Sequence, residues 1–504
     1  MLQLPFYAPD QAFANNKIGA SDHIVNLYPL ADGYRSVPDF IRTSSDSLKG
    51  KVIGSIAFVL SNDAEDHVTI IGTTKGLFKT IPDSTGIGVS FVDISRDSGY
   101  SLVDSDFWSF TLFGNHVIAI NKNYPAQILD INNIETSKFK DLNEAPRGTH
   151  IKVWGNHLVV IGVLNIESGY RNTVAWSGLN DPYNWKFTDT ASDADQQQFF
   201  DGGKVLNATS SKHPLIFTRN KIYRGNYIPS SALIFTFEDI SDRIDLKGIN
   251  SVIEVNGSVY FYSDKGFYQI DSRNNIVNIG ESILNNYISR EFSSSSLINM
   301  IVSKDFSSTR IFWGLSKVFD SGIYDYILVY DYELNKWTTI DRAIQYFINY
   351  ITLGKTLDSL DSIGTLDSLP YSLDSSVWQE HNMIVGAIDR DGYLVTMSGK
   401  QMESSIRTGV ISNNNNGFIT MTSASLDADI NNYTIDLLYS DKKIMDYNYD
   451  QFYTQYKIPV SRYRDEAIFN IRTKYVKIQF NLTVSNKPYS LYTFTYRTIE
   501  NGYM

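Results

Sequence analysis

The chain contains no cysteine. This excludes disulfides, thiolate metal sites and cysteine nucleophiles, and leaves stability to packing or assembly. It also lacks a basic surplus: 44 Lys and Arg stand against 55 Asp and Glu, a formal charge of −11. That balance is the opposite of the footprint of a protein that grips phosphates. Tight non-specific binding to DNA is therefore not expected, although an acidic wall suits a conduit along which a polyanion slides without sticking. The first residues, Met1 to Phe6, lack a basic segment followed by an apolar core of leader-peptide length, and no apolar run of about 18 residues is present to cross a membrane. A soluble chain made in the cytoplasm is the expectation.

The remainder is rich in what strands need. Tyr numbers 33 and Phe 28, with abundant Ile, Val, Ser and Thr, and β-branched and aromatic side chains pack best on pleated, half-buried surfaces. At 504 residues the chain exceeds the size at which single cores usually stop growing, so at least two modules are expected.

Short strand-turn-strand units recur at intervals of tens of residues, the scale of propeller blades. Phe113-Gly114-Asn115-His116 leads into Val117–Ile120, and Trp154-Gly155-Asn156-His157 leads into Leu158–Ile161 at an offset of 41 residues. Val255-Asn256-Gly257-Ser258 repeats the pattern, Asn-Gly being a strong tight-turn signal. A second kind of hairpin follows at Thr74–Lys79, Arg219–Gly225 and Asp264–Asp271. Tyr326–Thr338 reads as the outer pair of a blade, its Trp337 packing back on the preceding strand. The sequence thus predicts an all-β fold: a β-propeller of about six blades over 46–410, with a C-terminal β-sandwich-like domain over 411–504. Residues 1–45 are proline-punctuated and read as an arm. The polar stretch Ser412–Gly417 marks the domain boundary. Beyond it, runs such as Tyr433–Tyr439, Ala467–Ile471 and Tyr475–Leu482 alternate as strands with one buried face do, giving about seven short strands.

One segment, 354–378, carries a degenerate Leu-Asp-Ser repeat without helical or strand periodicity. It reads as a long loop, either a solvated acidic linker or an intersubunit or channel element, with Asp358, Asp361, Asp367, Asp374 and Trp378 as the residues of interest.

Signatures of chemistry are sparse. The seven histidines form no metalloprotease-type pair, and His116 and His157 occupy equivalent turn positions, where a turn-capping role accounts for both. The carboxylate clusters Asp193/Asp195, Asp389/Asp391 and Asp427/Asp429 have the residue type of a glycosidase pair, but turns and solvated loops explain them better. No phosphate-binding loop, dinucleotide fingerprint or nucleophile elbow is found. Tyr456-Lys457 through Arg462-Tyr463-Arg464 interleaves bases with aromatics, compatible with stacking on single strands or with an exposed strand edge. No enzyme activity, cofactor or metal is expected.

Two stretches resemble a known family. Trp176-Ser177-Gly178 and Asn180-Asp181-Pro182, with Trp185 and the following Asp201-Gly202-Gly203, resemble the central signature of podophage tail nozzle or hub proteins, also named packaged-DNA stabilisation proteins. Asn26-Leu27-Tyr28, leading to Gly33–Pro38, is similar to that family's N-terminal pattern, and Leu373–Trp378 and Gly392-Tyr393-Leu394 resemble later parts of it. The resemblance implies a structural protein of the virion tail. It implies a homo-hexameric ring below the portal–adaptor complex that conducts and retains double-stranded DNA until ejection, with tail fibres, spikes or a tip plug docking on it. The alternative reading is a carbohydrate-binding or glycoside-hydrolysing propeller of a phage tail fibre.

Overall fold

In a computed structural model the chain is a seven-bladed β-propeller fused to a two-sheet β-sandwich. The structure describes residues 2–15, 18–59, 67–83, 88–164, 171–188, 192–211, 213–229, 233–318, 322–353, 380–413, 417–430, 432–441, 454–459 and 466–501.

Six of the blades are separate four-stranded sheets. Their innermost strands are Val52–Val59, Ser109–Phe113, His150–Trp154, Val205–Ala208, Ile253–Val255 and, for the last blade, Tyr346–Leu353. Blade six, Ile301–Lys304 through Lys336–Ile340, is the start of a ten-stranded sheet that continues into the sandwich. The blade count is seven rather than about six because the seventh sheet is made from distant parts of the chain. Tyr346–Leu353, Glu380–Ile388 and Leu394–Gln401 are completed by Pro38–Arg42, which pairs with Leu394–Gln401. Arg42 reinforces this closure with ion pairs to Asp389 at 3.1 Å and Asp391 at 2.5 Å.

Packing between blades follows from the composition. The blades pack face to face around the ring, and aromatic or branched side chains fill the wedges between them. Tyr100, Trp108 and Phe139 lie between blades one and two, Trp185 between two and three, and Trp154, Trp176 and Phe235 between three and four. Phe217 and Phe261 join blades four and five, Phe312 and Phe347 join six and seven, and Ile348 and Tyr350 meet Val52 and Ile71 to close the ring. At about 25 cal/mol per Å² of apolar area removed from water, such large side chains dominate the cohesion.

The turns fall where their residues require. Gly114 and Gly155 have φ of 54° and 56°, and Asn256-Gly257 has 50° and 76°, the paired positive values of a type I′ hairpin. These join Phe113 to His116, Trp154 to His157 and Val255 to Ser258 across first hairpins. Tyr330 and Trp337 are opposed in the outer pair of blade six, with ring centroids 4.4 Å apart.

The N-terminal 45 residues are not an arm but structural elements of both modules. Ile24–Val25 bridges Lys336–Ile340 of blade six to Ser404–Arg407 of the sandwich. Leu27–Pro29, Tyr34–Ser36 and Leu2–Gln3 extend the opposite sandwich sheet. Asp10, in the helix Pro9–Asn15, accepts hydrogen bonds from the amides of Asn286 and Tyr287 at 3.0 and 2.8 Å. The sandwich begins before the polar stretch at 412, since Ser404–Arg407 already pairs with Tyr475–Leu482. Among the described residues seven strands lie between Ile411 and Asn501, and their core includes Met421, Leu437, Ile478, Phe480 and Phe494. Lys477, on the polar half of the alternation along Tyr475–Leu482, is buried, and Asp22 of the N-terminal segment lies 2.7 Å from its ammonium.

Candidate functional site

The signature residues are concentrated at joints of the fold. Asn26 has φ of 59°, accepts the Asp341 amide through Oδ1 at 2.9 Å and donates through Nδ2 to the Glu403 carbonyl at 2.7 Å. One side chain in the left-handed conformation that Asn tolerates thus ties propeller to sandwich. Leu27 is fully buried, and the ring of Tyr28 lies under the Arg310 guanidinium, 3.9 Å from its carbon. Burial pushes the Tyr28 hydroxyl well above its ordinary pKa.

Trp176 ends the strand Thr173–Trp176, stands edge-on to Phe235 at 5.0 Å and donates Nε1–H to the Asp193 carbonyl at 3.0 Å. Ser177 is buried, accepting the Leu158 amide and donating to the Gly178 carbonyl. A Cβ on Gly178 would meet the Asn184 side chain at 2.9 Å. Asn180, at φ 53°, donates its amide to Asn156, and Asp181 accepts the Tyr183 amide at 2.9 Å. Pro182 offers its carbonyl to Trp185 Nε1 at 2.7 Å. Asp201 is exposed, Gly202 packs against Thr218, and Gly203 has φ of 74°. These residues pin blades two, three and four together, and none gathers into a reactive constellation. Asp358, Asp361, Asp367, Asp374 and Trp378 lie outside the described residues, as do Arg462, Tyr463 and Arg464.

The three carboxylate clusters lie in different parts of the fold and do not converge on one site. Asp193 and Asp195 are exposed beside blade three, Asp389 and Asp391 hold Arg42, and Asp427 and Asp429 accept from Thr493 and Tyr492. His157 does not cap its turn but shares a 2.8 Å hydrogen bond with the Ser177 carbonyl, and His116 sits edge-on to Tyr183 at 6.4 Å. Among the described residues no group of three or more His, Cys, Asp or Glu is placed to hold a metal ion.

A concave site of the propeller is its axial mouth, where the innermost strands begin. A cavity of about 500 Å³ opens there. Lys51, Asp106, Thr149, Lys204 and Asn250 come from loops that enter the innermost strands, Ser296 comes from the short helix Ser294–Ile298 ahead of blade six, and Lys122, Arg171 and Tyr324 come from the turns between second and third strands. Lys122 Nζ lies 2.6 Å from Asp106, whose other oxygen accepts from Asn123 at 2.8 Å and from the Val103 amide. Lys51 Nζ donates to the Asp104 carbonyl at 3.1 Å.

Just behind the mouth, Phe107 lies 4.6 Å from the buried His150 ring. His150 Nε2 is 3.2 Å from Asn250 Oδ1 and Nδ1 is 3.2 Å from Thr149 Oγ1. As the neutral tautomer the ring can donate Nε2–H to Asn250, while the Thr149 hydroxyl donates to the Ile161 carbonyl at 3.1 Å. Burial, assisted by the Lys152 charge and only partly opposed by the Asn250 hydrogen bond, holds its pKa down at about 3. Deeper along the axis, burial lowers Lys152 to about 8 and raises Glu254. Lys304 donates to the Glu254 carbonyl at 3.4 Å, and Ser303 donates to Asn349 at 3.1 Å. The axis is therefore lined by polar groups of both signs. Sequence reading did not find this mouth.

No family model and no curated protein sequence matches the chain. Solved structures do. The extracellular domain of a hybrid two-component system of B. thetaiotaomicron is similar over 77% of this chain and 43% of its own length, with 12% identity and a TM-score of 0.39. The chain thus spans less than half of that protein. The Neurospora crassa Pan2 WD40 domain is similar over 72% of this chain and 96% of its own length, with 10% identity and a TM-score of 0.40. U3-55K is similar over 71% and 98%, with 7% identity and a TM-score of 0.36. The sheet order itself defines the propeller, and none of these similarities assigns a function.

Proposed function

We propose that the chain is a structural subunit of a podophage tail, of the nozzle or hub type. In this reading it assembles as a ring, a homo-hexamer, below the portal–adaptor complex, and conducts and retains packaged DNA until ejection. The observation that carries the reading is the signature at Trp176–Trp185 with Asp201-Gly202-Gly203, together with Asn26-Leu27-Tyr28. Its residues are the ones that pin neighbouring blades and tie propeller to sandwich. A subunit built this way resists shear between its modules, as a wall around pressurised DNA must. The formal charge of −11 favours sliding over adhesion of the polyanion. In a ring the conduit is the space enclosed by six subunits, and the axis of each propeller is separate from it.

Closed rotational symmetry requires one heterologous interface repeated around the ring. Native mass measurement of the purified chain, alone and mixed with a portal–adaptor complex, tests the proposal. Six copies added to the complex are expected. A chain that stays monomeric with the complex and cleaves polysaccharide overturns it in favour of a tail-fibre hydrolase.

A further inference from the structure

The mouth of the propeller plays no part in that reading, yet it is a built pocket. A volume of about 500 Å³ falls in the range of small-molecule sites. Its wall mixes charge with apolar surface. Blades one to four contribute the cations Lys51, Lys122, Arg171 and Lys204, with Asp104 and Asp106 among them, and blades six and seven contribute Ile301, Tyr324 and Tyr346.

Two of the four cations are already engaged, Lys122 by the Asp106 carboxylate and Lys51 by the Asp104 carbonyl. The other two stand together. The Val205 amide donates to the Arg171 carbonyl at 2.8 Å, which sets Arg171 beside the Lys204–Val205 peptide. Neither Arg171 nor Lys204 has an ion-pair partner among the described residues. In a chain with a net charge of −11, two adjacent cations without carboxylates are a local reversal of the field. Arg171 is half-buried and Lys204 exposed, so both remain accessible to an anion entering the mouth. The guanidinium fork matches the paired oxygens of a carboxylate or phosphate, and the ammonium adds a point charge. The Ile and Tyr side offers apolar area to cover a ligand body. The neutral His150 behind the mouth adds no competing charge.

We propose that the propeller mouth binds a small organic anion, its carboxylate or phosphate held by Arg171 and Lys204 and its apolar body lying against Ile298, Ile301 and Tyr324. Phe200, 79% exposed and four residues before Lys204, lies on the loop that carries this cation.

The test uses the full chain and 8-anilinonaphthalene-1-sulfonate, an aromatic sulfonate that combines an anionic head with a flat apolar body, followed by fluorescence titration. Saturable binding is expected, weakened roughly tenfold or more by R171E/K204E. K138E, a charge reversal at an exposed lysine paired with Asp97 on the edge of blade two, is expected to leave affinity unchanged. If R171E/K204E does not fold, Lys204→Gln carries the same comparison, with a loss of about threefold. Absence of saturable binding, unchanged affinity in R171E/K204E or K204Q, or an equal loss in K138E overturns the proposal. The readout is independent of ring assembly, so failure here leaves the tail reading untouched and the reverse also holds.

Discussion

Replacing Asp22 by Ala removes the negative member of a charge cluster that locks the N-terminal segment to the sandwich. Asp22 Oδ2 lies 2.7 Å from Lys477 Nζ, and Asp22 Oδ1 lies 3.8 Å from Arg407. The Lys477 side chain is 1% exposed and that of Asp22 8%. With an effective dielectric of about 20, opposite charges at this closest separation attract by about 6 kcal/mol, before the cost of desolvating them. Breaking a buried pair from one side leaves an uncompensated charge and typically costs about 3–5 kcal/mol. Burial alone would raise the Asp22 carboxyl, but Lys477 and Arg407 outweigh it and hold the group below its ordinary 3.8. A carboxylate with a depressed folded pKa contributes stability that is complete above the unfolded value and is lost as pH falls through the folded one. Urea unfolding followed by circular dichroism should therefore show D22A destabilised by about 3–5 kcal/mol at pH 7. The difference from the native chain should shrink below about pH 3.8. Amide exchange in Ser404–Arg407, which pairs with Ile24–Val25, should accelerate in parallel. D22L/K477M, which removes both charges, should recover most of the loss. A cost for D22A under about 1 kcal/mol, or one that persists undiminished at pH 2.5, would refute the argument.

Three further perturbations test other parts of the fold. His150 is held near pKa 3, so the unfolded chain takes up its proton first. Stability from this residue is complete above about pH 6.5 and declines by about 2 kcal/mol on reaching pH 5, and His150→Gln should lose that pH dependence in thermal melts at pH 7 and 5. Trp176→Ala opens the wedge between blades three and four beside Phe235 and should cost about 3–5 kcal/mol, measured by chemical denaturation. Gly33→Ala would drive a Cβ into the Leu491 carbonyl oxygen, displacing the Leu27–Pro29 and Tyr34–Ser36 hairpin from Ser490–Asn501. Limited proteolysis near the N-terminus should speed up, whereas Gly114→Ala, strained at φ 54° but facing open space, should leave that cleavage rate unchanged.

Much of the propeller is legible in the sequence because its hairpins are local. Gly114-Asn115 and Gly155-Asn156 mark first hairpins, Lys75-Gly76 and Lys265-Gly266 mark second ones, and Tyr326–Trp337 is an outer pair. Each signal lies within the residues it joins. The seventh blade is not legible in this way, since its fourth strand, Pro38–Arg42, pairs with Leu394–Gln401 across nearly the whole chain, and no periodicity reports a partner so distant. The same physics hid Lys477. Alternation along Tyr475–Leu482 predicts a solvent face, but alternation knows only the strand's own pleat, and Asp22 arrives from outside it to make burial of an ammonium tolerable. The mouth was missed for a related reason. Its residues come one or two at a time from loops of different blades, so they form no motif with a spacing. A faint signal does exist once the blades are known: Lys51 and Lys204 each stand one residue before an innermost strand, at Val52 and Val205. A strand's first residue fixes where its predecessor emerges, so in a propeller the position just before each innermost strand is delivered to the rim of the axis. Charge at that register is therefore charge at the mouth, and of the two lysines there Lys51 is engaged by the Asp104 carbonyl, while Lys204, whose neighbouring Val205 amide bonds the Arg171 carbonyl, is the one left to meet an anion.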